Sequence, residues 1–172
     1  MSGIPSWAAS DLYDVAAKVE GEANPSPDLL RQMLQTMLAD RFQLKIHRES
    51  KELAVYALIV GKSGPKLKES TAAGPAGYRG TPGQFTFSNG SITSLVSFLT
   101  NRVDRHVLDR TGLTGSYDFK LEWTPEASTP APDSNGPSIF TAIQEQLGLK
   151  LEATKSAVEI IVIDHAEKPS AN

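Results

Sequence analysis

One pattern constrains the fold of this chain more than any other feature and occurs three times, over residues 29–60, 92–123 and 139–163. In each copy, apolar residues first recur at helical spacing and then alternate with polar residues, as in a strand with one buried face. We predict that each copy forms a helix, a strand, a turn and a second strand. Such a unit cannot bury its apolar face alone, so it packs against neighbouring units.

The repeated pattern predicts an α+β protein. Two or three βαββ-like units would form antiparallel or mixed sheets, with helices packed on one face. A strand at 13–19, where apolar residues alternate with other residues, would precede the first helix. Segments rich in glycine and proline separate the copies and predict a first unit at 1–68, a flexible linker at 69–83, and second and third units at 84–172 with a flexible loop at 124–136.

Local signals also predict the helix ends and the core. Ser26, Ser91 and Ser138 are placed to cap the N-termini of the three helices, and Gly148 follows the last helix as a C-terminal glycine. The apolar faces of the predicted elements indicate a set of buried residues: Leu34, Phe42, Ile46, Phe119, Leu121, Ile143 and Ile161.

Composition excludes several classes of function. The formal net charge of -3 argues against nucleic acid as the main partner, because binding to phosphates needs a basic surface. The chain has no cysteine, which excludes disulfides, thiolate nucleophiles, and zinc or iron–sulfur sites held by thiolates. No apolar run approaches the roughly 18 residues of a membrane span, so we predict no membrane insertion.

His106 is the first candidate catalytic residue, because Asp104 and Asp109 flank it and a carboxylate beside an imidazole is what a general base requires. The same residues also fit a helix end, where a histidine complements the helix dipole without any chemistry. The sequence leaves both interpretations open.

His47 is the second candidate, with Glu49 beside it on an alternating strand face that is also typical of a solvated surface. No histidine pair has zinc-ligand spacing, and no nucleophile elbow of the G-x-S-x-G type occurs. We therefore predict no cofactor, apart from calcium if the protein is a hydrolase. Trp7 and Tyr78 lie in irregular segments, where large aromatic side chains either contact partners or anchor their own loops.

Several strings resemble a family of soil-bacterial proteins of unknown function, the acidobacterial DUF3738 type: PSWAASDLYDVAAKVEG, GPKLK, DRTGLTGSYDFKLEWTP, SIFTAIQEQLGLKLE and VIDHAEKP. The resemblance covers nearly the whole chain. It implies an exported or periplasmic protein, although the chain as given begins without a signal peptide and without the further N-terminal segment usual in the family. The helix–strand–strand units are also similar to the short N-terminal domains of secretins and TonB-dependent transporters, which are small periplasmic binding modules.

The sequence favours a binding or assembly module of the bacterial cell envelope, whose partner is a protein or a small molecule. The absence of specific catalytic motifs and the repeated units support this interpretation. The alternative is a small hydrolase of esters or lactones, of the kind that opens acyl homoserine lactone signals, with calcium bound in that case. Enzymatic activity and oligomeric state both stay open at this point.

Overall fold

The computed structural model describes residues 2–19, 25–125 and 136–169. After a short 3-10 turn at Ser6–Ala9, the helices are α1 (Pro27–Phe42), α2 (Ile92–Thr100) and α3 (Ile139–Ala142), which continues as a π-helical segment, Ile143–Leu147. The strands are β1 (Lys45–Val60), β2 (Lys68–Glu69), β3 (Gly77–Thr81), β4 (Gln84–Ser91), β5 (Val107–Asp109), β6 (Ser116–Glu122) and β7 (Leu149–His165).

These strands form two sheets, and the α+β class predicted from the sequence is confirmed. One sheet has the strand order β5-β1-β7, with β1 and β5 parallel. The other has the order β2-β6-β4-β3, and all its pairings are antiparallel. The strand β3 therefore lies at one edge of the four-stranded sheet.

The chain divides into two compact units. Unit 1 comprises Met1–Glu52 and Ala157–Asn172, and unit 2 comprises Leu53–Ser156. The long strands β1 and β7 contribute residues to both units. Within unit 1, the ring of Trp7 stacks on that of Phe42, with 6.3 Å between the ring centroids, and Tyr13 meets both rings edge-on.

The hydrophobic core lies in unit 2. Alternation along β4 and β6 directs one set of side chains to the helices and leaves the other set exposed or partly exposed. The helix α2 brings Leu95 and Leu99, both fully buried, against this apolar face. The largest fully buried side chains are Leu58, Leu95, Leu99, Leu121, Ile143, Leu147, Leu149, Val55 and Val107.

The predicted helix ends are confirmed. The hydroxyl oxygens of Ser26, Ser91 and Ser138 accept hydrogen bonds of 3.2 Å from backbone N–H groups in the first turns of α1, α2 and α3. Each bond satisfies one of the N–H groups that a helix start leaves unpaired. Gly148 ends the π-helical segment with a φ of 66°, in the left-handed region that glycine adopts without a steric penalty.

The threefold helix–strand–strand repeat is not confirmed. Only the middle copy has two strands after its helix, because β1 and β7 are single strands of 16 and 17 residues where the pattern predicted two short ones. Neither 49–52 nor 153–157 contains glycine or proline, so no residue typical of a turn interrupts either long strand. The strand predicted at 13–19 is also wrong, since those residues are irregular.

The predicted core is confirmed in unit 2 and wrong in most of unit 1. Phe119, Leu121 and Ile143 are buried, and Phe42 is partly buried. Three residues predicted to be buried are exposed: Leu34, Ile46 and Ile161. All three belong to unit 1, where α1 buries none of its residues. Periodicity identifies the apolar face of an element but does not supply a partner that covers it.

The predicted linker at 69–83 contains the strand β3, which pairs with β4 across the turn Pro82-Gly83. Its flexibility stays a prediction, as do the unit boundaries at 1–68 and 84–172. Most of the predicted loop at 124–136 lies outside the described residues. The strand escaped sequence analysis because two of its five residues are glycines, which are rare inside strands.

Candidate functional site

Two adjoining cavities lie on the surface of unit 2, with volumes of about 930 and 420 Å³. Both touch Tyr78 and Phe85 of the β3–β4 hairpin, and both touch Arg102, just beyond the end of α2. Phe98 lines the smaller cavity and Trp123 lines the larger one. We call the surface formed by these five residues the aromatic groove.

The hairpin builds the floor of the groove through side-chain alternation. Tyr78 pairs with Phe87 and Gly80 pairs with Phe85, so these residues share one face of the sheet. A Cβ atom at Gly80 would overlap the ring of Phe85, so this ring packs directly against the backbone of β3. A glycine inside a strand commonly marks such a close approach.

A chain of aromatic contacts crosses the groove. The ring of Tyr78 stacks on Phe85 at a centroid distance of 5.5 Å, and Phe85 contacts Phe98 at 3.9 Å. Phe98 in turn meets Trp123 edge-on at 5.8 Å. Phe85 and Phe98 are buried, whereas Tyr78 is 74% exposed. Tyr78, predicted from the sequence either to contact a partner or to anchor its loop, therefore packs one face of its ring on Phe85 and leaves most of its side chain exposed to solvent.

Arg102 supplies a cation at the wall of the groove. Its guanidinium carbon lies 5.2 Å from the centroid of the Phe98 ring, a cation–π arrangement. Its Nη1 donates one long hydrogen bond of 3.4 Å, to the carbonyl oxygen of Asn101. Across the described ranges, no carboxylate pairs with it. Most of the donors of this guanidinium are thus available to an anionic group.

The acidic residue of the larger cavity, Asp104, already has partners. It accepts a hydrogen bond of 3.1 Å from the Tyr56 hydroxyl and forms an ion pair of 3.4 Å with Arg105. Burial, together with the hydrogen bond to the Asp104 carboxylate, raises the pKa of Tyr56. The Asp104 carboxylate is therefore partly neutralised by Arg105, while the charge of Arg102 has no such counterpart among the residues that the structure describes.

Backbone hydrogen bonds hold Trp123 at the other end of the groove. Its N–H donates to the carbonyl oxygen of Gly83 in the hairpin turn, at 2.9 Å. The preceding residue, Glu122, is held by the side chain of Gln146, which donates to its carbonyl oxygen at 2.7 Å and accepts from its N–H at 2.9 Å. The hairpin turn and the side chain of Gln146 thus hold the backbone that carries the indole in place.

The structure does not join His106 to the carboxylates that flank it in sequence. The Asp109 carboxylate accepts two hydrogen bonds of 2.8 Å from Thr111, and Asp104 binds Tyr56. The ring of His106 is exposed and forms no hydrogen bond with any residue that the structure describes. A catalytic role for His106, Asp104 and Asp109 stays a prediction.

His47 has a carboxylate partner that sequence analysis missed. Its Nδ1 lies 2.8 and 2.9 Å from the two carboxylate oxygens of Asp164, in unit 1. Because 117 positions separate the two residues, no local sequence signal connects them. Glu49, the neighbour proposed from the sequence, forms no hydrogen bond or ion pair with the part of the chain described here. Its catalytic role, like that of His47, stays a prediction.

A family model described as "Protein of unknown function (DUF3738)" matches residues 1–166. The chain belongs to this family. No significant match was found among curated proteins or among solved structures. The pattern similarity to the short domains of secretins and TonB-dependent transporters therefore gains no support from them.

Two further features of this DUF3738 protein bear on its chemistry. Within 2–19, 25–125 and 136–169, no group of three or more histidine, aspartate or glutamate side chains has an arrangement that could hold a metal ion. A calcium site therefore stays a prediction. In the same ranges, none of the helices combines the length and apolar character needed to cross a bilayer.

Proposed function

We propose that this protein is a non-catalytic binding module of the bacterial cell envelope and that the aromatic groove is its ligand site. The observation that carries the proposal is Tyr78, an aromatic side chain 74% exposed on top of an aromatic floor. Continuous apolar surface of this kind, edged by polar groups, is typical of binding sites. The envelope location rests on the family resemblance.

The dimensions and chemistry of the groove define a ligand class. Its two cavities, of about 930 and 420 Å³, fall within or near the common range for ligand sites. The aromatic floor favours an apolar or aromatic group, and covering such a side chain contributes about 1.5–3 kcal/mol. The guanidinium of Arg102 favours a carboxylate or another anion beside that group.

Binding of aryl carboxylates provides the first test. We expect a fragment set of aryl carboxylates to shift the NMR signals of groove residues, and the matched carboxamides to bind more weakly. Tyr78→Ala and Arg102→Gln should each weaken the binding about tenfold, because one removes the exposed ring and the other removes the charge.

Arg79→Gln is the matched control, since Arg79 adjoins Tyr78 in β3 and alternation places it on the opposite face. It should leave the affinity for the fragments within about twofold. Fragments that shift only residues outside the groove, or that bind Tyr78→Ala as tightly as the wild type, would refute the proposal.

A hydrolase of esters or lactones is the second candidate, and the pair of His47 and Asp164 favours it. A carboxylate within 2.8 Å of Nδ1 orients an imidazole so that Nε2 can act as a general base. The side chains are about half exposed, so substrate would reach the pair from solvent. Among the described residues, however, no hydroxyl group that could serve as a nucleophile hydrogen-bonds to the imidazole.

We expect no hydrolysis of acyl lactones or short-chain esters above that of denatured protein, with or without calcium. The assay would compare wild type, His47→Gln and His106→Gln, the last being a control histidine that pairs with no carboxylate in the described part of the chain. Turnover that falls about a hundredfold in His47→Gln and persists in His106→Gln would make the hydrolase the better assignment. Loss of turnover with EDTA, restored by calcium, would add the metal.

A further inference from the structure

We propose that the occupant of the aromatic groove is an extended acidic peptide segment, which adds as a strand to the free edge of β3 and places a carboxylate on Arg102. This inference rests on the proposed binding function and specifies its ligand. It follows from three features: the free edge of β3, the position of the two cavities along that edge, and the positive charges of Arg79 and Arg102.

The strand β3 has a free edge suited to pairing. Among the strands within residues 2–19, 25–125 and 136–169, it is the last of its sheet and pairs only with β4, so alternate residues direct their backbone N–H and C=O groups outward. Edge strands are usually protected by proline, by bulges or by covering elements. The five residues of β3 include no proline, pair with β4 in an unbroken register, and are all exposed.

The cavities follow one another along this edge. The smaller one lies between Gly77–Tyr78 of β3 and residues 94–102 of α2 and its C-terminus, above Phe85 and Phe87. The larger one continues past Tyr78 to Gly80 and the hairpin turn. Alternate side chains of an added strand point to the same face about 7 Å apart. Successive side chains of this kind would enter the two cavities on either side of the Tyr78 ring, the arrangement used in strand addition.

Charge distinguishes an acidic peptide from a second copy of this chain. Arg79 is the central residue of β3, so symmetric pairing of two β3 edges would place Arg79 opposite Arg79 of the second copy. Like charges directly opposite each other destabilise a strand pair. Neither Arg79 nor Arg102 forms an ion pair within the described ranges. The cation that lines the groove, Arg102, instead favours a segment that carries a carboxylate.

The probe is a display library of random nonapeptides, selected on the full chain, with the selected sequences resynthesised and labelled for fluorescence anisotropy. Each selected peptide is made in two N-methylated forms: one is methylated at the odd-numbered positions and the other at the even-numbered positions. One form should lose about tenfold or more in affinity, because the N–H groups it lacks face β3, and the other should stay within about twofold. Arg102→Gln should cost about tenfold with the acidic peptide.

The carboxylate that contacts Arg102 belongs either to the C-terminus of the peptide or to an internal Glu or Asp. Three versions of the peptide distinguish these sources: the free acid, the C-terminal amide, and the peptide with its internal Glu or Asp replaced by the corresponding amide. One of these versions removes the carboxylate that contacts Arg102. For that version, the Arg102→Gln protein should bind the peptide as tightly as the wild-type protein does. Circular dichroism of the variant excludes misfolding as the cause. Equal tolerance of both N-methylated forms would overturn strand addition.

The remaining outcomes separate this inference from the proposed function. Binding of aryl carboxylates without binding of any peptide would overturn the peptide inference and leave the groove as a ligand site. Binding of neither would refute both. Sedimentation equilibrium should show a monomer, and a dimer dissociated by Tyr78→Ala would identify a second copy as the occupant and overturn the acidic peptide.

Discussion

Leu121→Ala is expected to lower the free energy of unfolding of unit 2 by about 2–5 kcal/mol. Leu121 lies in β6, is 0% exposed, and belongs to the core between the four-stranded sheet and the helices. Truncation removes the transfer free energy of the side chain and leaves a cavity that the flanking rings cannot fill completely. Urea unfolding followed by tryptophan fluorescence and circular dichroism measures the change.

Leu34→Ala is the matched control, because Leu34 also lies on a predicted apolar face but is 50% exposed on α1. The loss there should stay below about 0.5 kcal/mol, since alanine also has the higher helix propensity. A loss at Leu121 below about 0.5 kcal/mol would contradict the assignment of the inner face of β6. A loss at Leu34 as large as that at Leu121 would show that α1 is covered in solution.

This comparison also shows what the sequence can predict of the fold. The alternation at 117–123 correctly identified β6 and its inner face, because an antiparallel sheet with one solvated face leaves a period of two in the sequence. The same reasoning failed for Leu34, Ile46 and Ile161. Amphipathic periodicity records which face is apolar, whereas burial depends on neighbouring elements that are distant in sequence.

The candidate site was predictable only in part. Tyr78 could be identified as an aromatic candidate in a segment rich in glycine. The strand that contains it was not predicted, because two of its five residues are glycines. Gly80 turned out to serve the packing of Phe85 rather than flexibility. Nothing local marked Arg102, whose significance depends on the aromatic ring beneath it and on the absence of an ion-pair partner among the described residues.

Gly148→Ala is expected to lower the free energy of unfolding of unit 2 by about 2–4 kcal/mol. The φ of Gly148 is +66°, where any side chain costs about 1–2 kcal/mol. A Cβ atom there would also overlap the carbonyl oxygen of Gly64 and approach the backbone nitrogen of Lys66 to 3.0 Å. The backbone at 61–66 cannot retreat without losing the hydrogen bonds of 2.8 Å that join Gly61 to Gly148 and Lys66 to Leu147.

Gly112→Ala separates the two causes of this loss. Gly112 has nearly the same φ, +69°, but apart from its own chain neighbours no described residue has a heavy atom within 4 Å of its ideal Cβ position. Its replacement should cost only the conformational penalty of about 1–2 kcal/mol. The reduced entropy of the unfolded chain is common to both alanine variants and cancels when they are compared. The excess loss at Gly148, measured by urea unfolding, therefore reports the close contact with the segment 61–66, and equal losses would show that this contact does not form in solution.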